Sequence, residues 1–173
     1  MKLKALEKRF INTLNFCTRY IDIDDKILDL GTSNDFSIQL SEKGYKVANT
    51  KGEDLDLETD FQERYGKYDI ITAIEILEHL LSPFVLLRNL PADRLIATVP
   101  LRLWFSKAYR NEEDSWDRHY HEFEDWQFDW LLEKAGWKII ESEKWTSPSS
   151  EIGIRPILRN FYPRYYAVYA LRV

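Results

Sequence analysis

From Lys26 onward the chain alternates short apolar runs with longer amphipathic ones. That alternation constrains the fold more than any other feature. Strands joined by helical crossovers lie parallel, and a parallel sheet must be covered by helices on both faces. Strands are expected at Lys26–Leu30, Tyr45–Asn49, Asp69–Ile74, Asp93–Val99, Trp137–Trp145 and Tyr165–Val173. Helices are expected at about Asn34–Lys43, over the stretch LEHLLSPFVLLRNL, and at Glu124–Ala135, where Gly136 stops it. Leu3, Leu6, Phe10, Leu14, Cys17 and Ile21 recur at three or four residues, one face of an N-terminal helix.

Two places depart from simple alternation. Between Asn49 and Asp69 there is room for a short third strand near Asp54–Leu57 and a turn or two of helix, but not for a full crossover helix before that strand. The last two strands are separated by a stretch with Pro148, Pro156 and Pro163, so they are expected to be antiparallel neighbours at one edge. The sum is a doubly wound, mostly parallel sheet of seven strands with the last one reversed. Ligands of such sheets sit at the carboxyl ends of the strands.

The 173 residues suit one domain, 1–173, with a core of its own. The net charge of −5 disfavours nucleic acid as a partner, because phosphates need Lys and Arg. The single cysteine, Cys17, has no internal partner and fits a reducing compartment. No run is long and apolar enough to span a membrane, and the N-terminus lacks the unbroken apolar run of a signal peptide. The expectation is a cytoplasmic protein with no membrane partner; the sequence says nothing of oligomeric state.

The loop after the first strand reads Asp29-Leu30-Gly31-Thr32-Ser33-Asn34-Asp35. Gly31 permits positive φ and close backbone approach, and Asn34 or Asp35 can cap the following helix. This DLGTSND resembles the first motif of class I S-adenosylmethionine-dependent methyltransferases, acid-x-Gly-x-Gly-x-Gly. Asp29 and Gly31 match, while Ser33 and Asp35 replace the second and third glycines. The dinucleotide fingerprint G-x-G-x-x-G fits less well. YDIITAIEILEHL resembles the fourth-strand motif of the small-molecule branch of that family, similar to methyltransferases of quinone biosynthesis. DRLIATVP and DRHYHEFEDWQFDWLLEKAGWKII follow in the family's order. The likeness runs from about Leu14 to Val173.

The resemblance implies a Rossmann-like fold, S-adenosylmethionine as cofactor and a small-molecule methyl acceptor. It implies that Gly31, with Thr32 and Ser33, faces the methionine part of the cofactor and that Asp29 holds the loop and reaches the amino group. Asn49 stands where an acid normally accepts both ribose hydroxyls. Asp54 or Asp56 would meet the adenine amino group, and Ala73 to Glu75 would line the reactive side.

All three histidines fall in two motifs, Glu75-x-x-Glu78-His79 and His119-x-His121. On a helix, Glu75, Glu78 and His79 would share one face. The pattern resembles metal-using O-methyltransferases, in which Glu75, Glu78, His79 and His121 would hold a divalent metal that lowers the pKa of a substrate hydroxyl. In family members without metal, such a histidine caps or lines the pocket. His79 or His121 would then be the catalytic base, since imidazole titrates near neutral pH.

All six tryptophans lie after residue 100, and Trp104, Phe105, Tyr109, Trp116 and Tyr120 sit in the insertion after the fifth expected strand. They form either a substrate lid or core beneath it. Arg155, Arg159 and Arg164 either hold an anionic substrate or are solvated surface. The reading is methyl transfer to a small molecule at oxygen. The alternatives are a vestigial methyltransferase-fold domain with a binding or regulatory role, prompted by Ser33, Asp35 and Asn49, and a nicotinamide-dependent reductase. RNA remains an alternative acceptor through the Glu-x-x-Glu-His likeness.

Overall fold

The computed structural model describes residues 2–58, 60–148 and 153–173, with side chains from Lys8 onward. Helix α1 (Lys2–Cys17) leads into β1 (Lys26–Asp29), α2 (Asp35–Glu42) and β2 (Lys46–Asn49). Then come α3 (Phe61–Tyr65), β3 (Ile70–Ile74), a 3₁₀ turn (Leu77–His79), α4 (Pro83–Asn89) and β4 (Arg94–Pro100). The chain closes with α5 (Asp125–Lys134), β5 (Trp137–Thr146), α6 (Ile154–Leu158) and β6 (Pro163–Arg172).

The strands form one sheet in the order β2-β1-β3-β4-β6-β5. β1 to β4 pair in parallel, and β6 runs antiparallel to both β4 and β5. The reversed last strand is therefore present. It lies inside the sheet between β4 and β5, and β5 is the edge. Among the described residues there are six strands, not seven. The segment expected as the third strand, Asp54–Leu57, is a turn. Its acids bind backbone rather than a neighbouring strand: Asp54 Oδ1 accepts from Asp56 N at 3.0 Å, and Asp56 accepts from Leu81 N and Ser82 N, each at 2.8 Å.

Alternation along the strands splits the core in two. Ile27, Ile70, Ile96 and Ala167 face one side, where Phe16 and Cys17 of α1 and Phe36 and Leu40 of α2 cover them. Leu28, Ile71, Leu95 and Val168 face the other, under Phe61, Leu86, Leu87, Phe128 and Leu132 of α3, α4 and α5. Phe10 and Leu14 pack against the first cluster, as the N-terminal periodicity implies; Leu3 and Leu6 lie outside the described side chains.

The helix ends follow local chemistry. Asn34 caps α2, its Oδ1 accepting from Phe36 N and Ser37 N at 2.9 and 3.1 Å. The helix expected over LEHLLSPFVLLRNL is interrupted. Pro83 opens α4 in its first turn, and the residue before a proline is pushed out of the helical region. Ser82 adopts φ −130° and ψ 64° accordingly. A clamp at the far end of the sheet holds the last strand: Arg172 stacks over Trp137 at 4.1 Å and donates to Leu90 O at 2.7 Å, while Trp137 Nε1 donates to Leu87 O at 2.9 Å.

Candidate active site

The carboxyl end of β1 delivers Asp29, which is buried. Its Oδ1 accepts from Thr72 Oγ1 at 2.6 Å, and its Oδ2 accepts from Asn34 Nδ2 at 3.1 Å and Asn49 Nδ2 at 3.0 Å. Burial pushes the Asp29 carboxyl up to about 6 against the pull of these three hydrogen bonds. Asp29 thus ties the loop residue Asn34 to Asn49 and does not line the cleft beside it.

Asn49 is engaged inward. Its amide donates to Asp29 and, at 3.3 Å, to Gly31 O. An acid at this position would set a second carboxylate against Asp29, whereas an amide supplies the donor that Asp29 needs. Gly31 adopts φ +102°, and its N–H donates to Thr50 Oγ1 at 2.7 Å. The loop is closed by side chains of β1, β2 and β3, with Gly31 as its one glycine.

Beside this loop lies a cleft of about 730 Å³. Gly31, Thr32, Asp54, Asp56, Glu75 and His79 line it, so the structure brings these expected residues together. Ser33 and Asn49 lie outside the lining, as does Ala73, which is buried within β3. His121 also lies outside it, its ring stacked on Phe123 at 5.4 Å. Of the aromatic insertion, Trp116 and Tyr120 line the cleft, while Trp104 and Phe105 do not.

Sequence reasoning passed over several lining residues. Asn34, a helix cap by its place in the sequence, also faces the cleft. Thr50, Gly52, Glu53 and Ile76 line it too, as do Asp114 and Asp117 from the loop before α5. The acid run Gly52-Glu53-Asp54-Leu55-Asp56 was the signal available for the first group. Nothing local marked the second.

The lining carries Glu53, Asp54, Asp56, Glu75, Asp114 and Asp117, and among its described residues neither lysine nor arginine. Such a cleft attracts cations and hydroxyl-rich groups and repels phosphates. Glu75, the residue after β3, adopts the left-handed region, φ +53°, which no other non-glycine among the described residues adopts. Arg9 of α1 reaches it at 2.6 Å. Burial raises the Glu75 carboxyl, and Arg9 and Arg164 counter that shift.

Below Glu75 the two histidine motifs meet. The carbonyl of Glu78 accepts from Tyr120 N at 2.8 Å and His121 N at 3.2 Å, fastening the motifs together. The Glu78 side chain is buried, and neither oxygen has a hydrogen-bond partner. Burial, with Glu75 nearby, raises its carboxyl well above the usual range. His79 Nε2 lies 3.9 Å from Glu78 Oε1, and the His79 and His119 rings meet edge to face at 4.6 Å. Burial, aided by His79 and Arg164, pushes the His119 imidazole down to about 4. Donor atoms of Glu78, His79 and His119 all fall within 4.8 Å of one another, a spacing that could hold a divalent ion. The set expected for a metal was Glu75, Glu78, His79 and His121. His119 rather than His121 lies beside Glu78 and His79, and Glu75 pairs with Arg9.

No protein-family model and no curated protein matches this sequence. Similar solved structures carry a consistent description. The complex of the Haloferax volcanii Trm112 methyltransferase activator with a methyltransferase aligns at a TM-score of 0.64 and 12% identity, over 98% of this chain and 92% of that one. The magnesium protoporphyrin IX methyltransferase of Synechocystis, solved with S-adenosylhomocysteine, aligns at 0.61 and 15%, over 98% and 84%. The 1,6-didemethyltoxoflavin-N1-methyltransferase of Burkholderia thailandensis, solved with its substrate and S-adenosylhomocysteine, aligns at 0.57 and 16%, over 99% and 89%. The fold is therefore that of the class I S-adenosylmethionine-dependent methyltransferases. Among the described residues no helix is long and apolar enough to cross a membrane.

Proposed function

We propose that this chain is an S-adenosylmethionine-dependent methyltransferase acting on a small molecule at oxygen. One observation carries the reading: a cleft at the carboxyl ends of β1 and β3, lined by six carboxylates and no lysine or arginine among the described residues. That chemistry fits a cofactor that carries a sulfonium and an ammonium, with ribose hydroxyls to donate to carboxylates. It does not fit a nicotinamide dinucleotide, whose pyrophosphate needs donors and positive charge. The residues that would hold the cofactor are Gly31, Thr32 and Asn34 at the loop, Asp54 with Leu55 at the turn after β2, and Glu75 with Ile76 after β3. Asp29 and Asn49 act from behind, holding the loop. Asp56, also in the lining, braces the start of α4 through Leu81 N and Ser82 N.

When bound, the cofactor supplies an electrophilic methyl group. The protein's part is to align the acceptor and take its proton. His79 suits that task. Its Nδ1 lies 3.1 Å from Arg118 O, an atom that can only accept, so in the neutral ring Nδ1 carries the hydrogen and Nε2 the lone pair. Glu78 Oε1 lies 3.9 Å from that nitrogen and, when ionised, would stabilise the imidazolium once formed. The unpartnered Glu78 oxygens favour a second reading of the same groups. With a divalent metal held by Glu78, His79 and His119, the acceptor hydroxyl would be activated by the ion instead.

Calorimetric titration with S-adenosylmethionine, S-adenosylhomocysteine and a nicotinamide dinucleotide, with and without Mg²⁺ or Zn²⁺, tests this. Micromolar binding of the first two and none of the third is expected. No binding at millimolar ligand would instead favour the vestigial domain. His79→Ala should lower kcat with little change in cofactor affinity. A metal-dependent gain lost in Glu78→Gln would select the metal-assisted form.

A further inference from the structure

A second surface lies at the same end of the sheet and takes no part in the cleft. Two segments form it, Leu101–Arg110 after β4 and Gly153–Arg164 through α6 into β6. They are bound to each other: Leu101 N donates to Arg164 O at 2.7 Å, and Arg164 Nη1 donates back to Leu101 O. Trp104, Phe105 and Tyr162 form an edge-to-face trio with centroids 5.4, 6.0 and 5.7 Å apart. Around that trio the apolar side chains face outward. Trp104 is 68% exposed, Phe161 75% and Ile154 78%. Ile157 on the same short helix is exposed as well. Scattered exposed apolar residues need no explanation, but several carried on two short segments that are bound to each other do.

The charges around the patch indicate what covers it. The two segments carry Arg102, Lys107, Arg110, Arg155, Arg159 and Arg164 and not one acid, in a chain whose net charge is −5. Arg102 and Arg110 meet Glu124 and Glu112, and Arg164 is half-buried; Lys107, Arg155 and Arg159 stand exposed. We infer that this face docks on an anionic lipid surface. Trp104, Phe161, Ile154 and Ile157 would enter the interface, and Lys107, Arg155 and Arg159 would meet the headgroups. Tryptophan and tyrosine are amphipathic rings suited to that depth. A symmetric pair of copies is the poorer occupant, because a two-fold contact sets the same basic segments against each other. The expectation of no membrane partner rested on the lack of a spanning run, which does not bear on peripheral docking. Docking here requires neither cofactor nor catalysis.

Flotation of the full chain with phosphatidylcholine vesicles, with and without phosphatidylglycerol, tests this, read alongside Trp104 emission. Binding to the anionic vesicles alone, a blue shift of emission and release by salt are expected. Arg155→Gln with Arg159→Gln, and separately Trp104→Ala with Phe161→Ala, should each weaken binding on the order of tenfold. These side chains are exposed, so the fold should survive, which circular dichroism would verify. Equal binding to both vesicle types, no binding to either, or a dimer dissolved by the same substitutions would overturn the inference.

Discussion

Asn49 shows how one residue can be read two ways. By position it stands where a ribose-binding acid is expected. By contact it is a donor to Asp29 and to the loop carbonyl of Gly31. Asn49→Asp should therefore be tolerated at pH 5, where one proton can bridge the two carboxyls, and should cost about 1–3 kcal/mol at pH 8. Urea melts at the two pH values check this. The wild-type background has its own slope. The folded Asp29 carboxyl is raised to about 6 from an ordinary 3.8, so the folded state holds the extra proton between these values. Its contribution to stability is complete below 3.8 and is lost as pH rises through 6. His119, lowered to about 4 from 6.5, works in the opposite sense across nearly the same window: its contribution is complete above 6.5 and is lost as pH falls through 4. Glu78→Gln isolates a third group. The raised Glu78 carboxyl destabilises the fold as it ionises, so the neutral variant should match wild type near pH 4 and exceed it by about 1–3 kcal/mol at alkaline pH. If a metal binds there, Zn²⁺ should raise the melting temperature of wild type and leave the variant unchanged.

At the scale of elements, the turn Asp54–Leu57 and the helix α4 depend on each other through Asp56. Asp56→Ala removes both acceptors of Leu81 N and Ser82 N and should cost about 1–3 kcal/mol. Hydrogen exchange should rise in α4 before it rises in β4, because the loss falls on the helix start. Asn34→Ala should cost about 1 kcal/mol for the cap and further loosen the Gly31 loop. These elements mark the limit of what the sequence made legible. Apolar periodicity located β1 to β4 and the helices α2 and α5 to within a residue or two, because buried faces repeat. The Asp54–Leu57 turn was hidden, because two aspartates flanking leucines look the same whether they bind a neighbouring strand or two distant backbone N–H groups. The break in LEHLLSPFV was signalled by Pro83, but the left-handed Glu75 was not, since only the tertiary pairing with Arg9 and Thr98 holds it there.

At the scale of the whole molecule, the cleft assembles side chains from positions 31 to 120, and that explains which site residues were foreseen. Gly31, Thr32 and Glu75, just past the ends of β1 and β3, could be placed in advance, because the sheet order fixes where its carboxyl edge lies. Asp114 and Asp117 arrive on an insertion that no periodicity places. The pairing of His119 rather than His121 with His79 depends on which of two alternate residues that loop turns inward. The clamp at the other end of the sheet is global as well. Trp137→Ala should cost about 3–5 kcal/mol, as large buried aromatics do, and should lower the urea midpoint of the whole domain rather than of β5 alone.

The place of β6 between β4 and β5 has a consequence for biosynthesis. A ribosome makes β5 before the strand that joins it to the sheet exists. Until Pro163–Arg172 leaves the exit tunnel, the nascent chain must carry an open edge on β4 and an unattached β5. Both invite pairing with other chains. Closure of the sheet therefore waits for β6, and the period of greatest aggregation risk lies between the synthesis of β4 and the docking of β6.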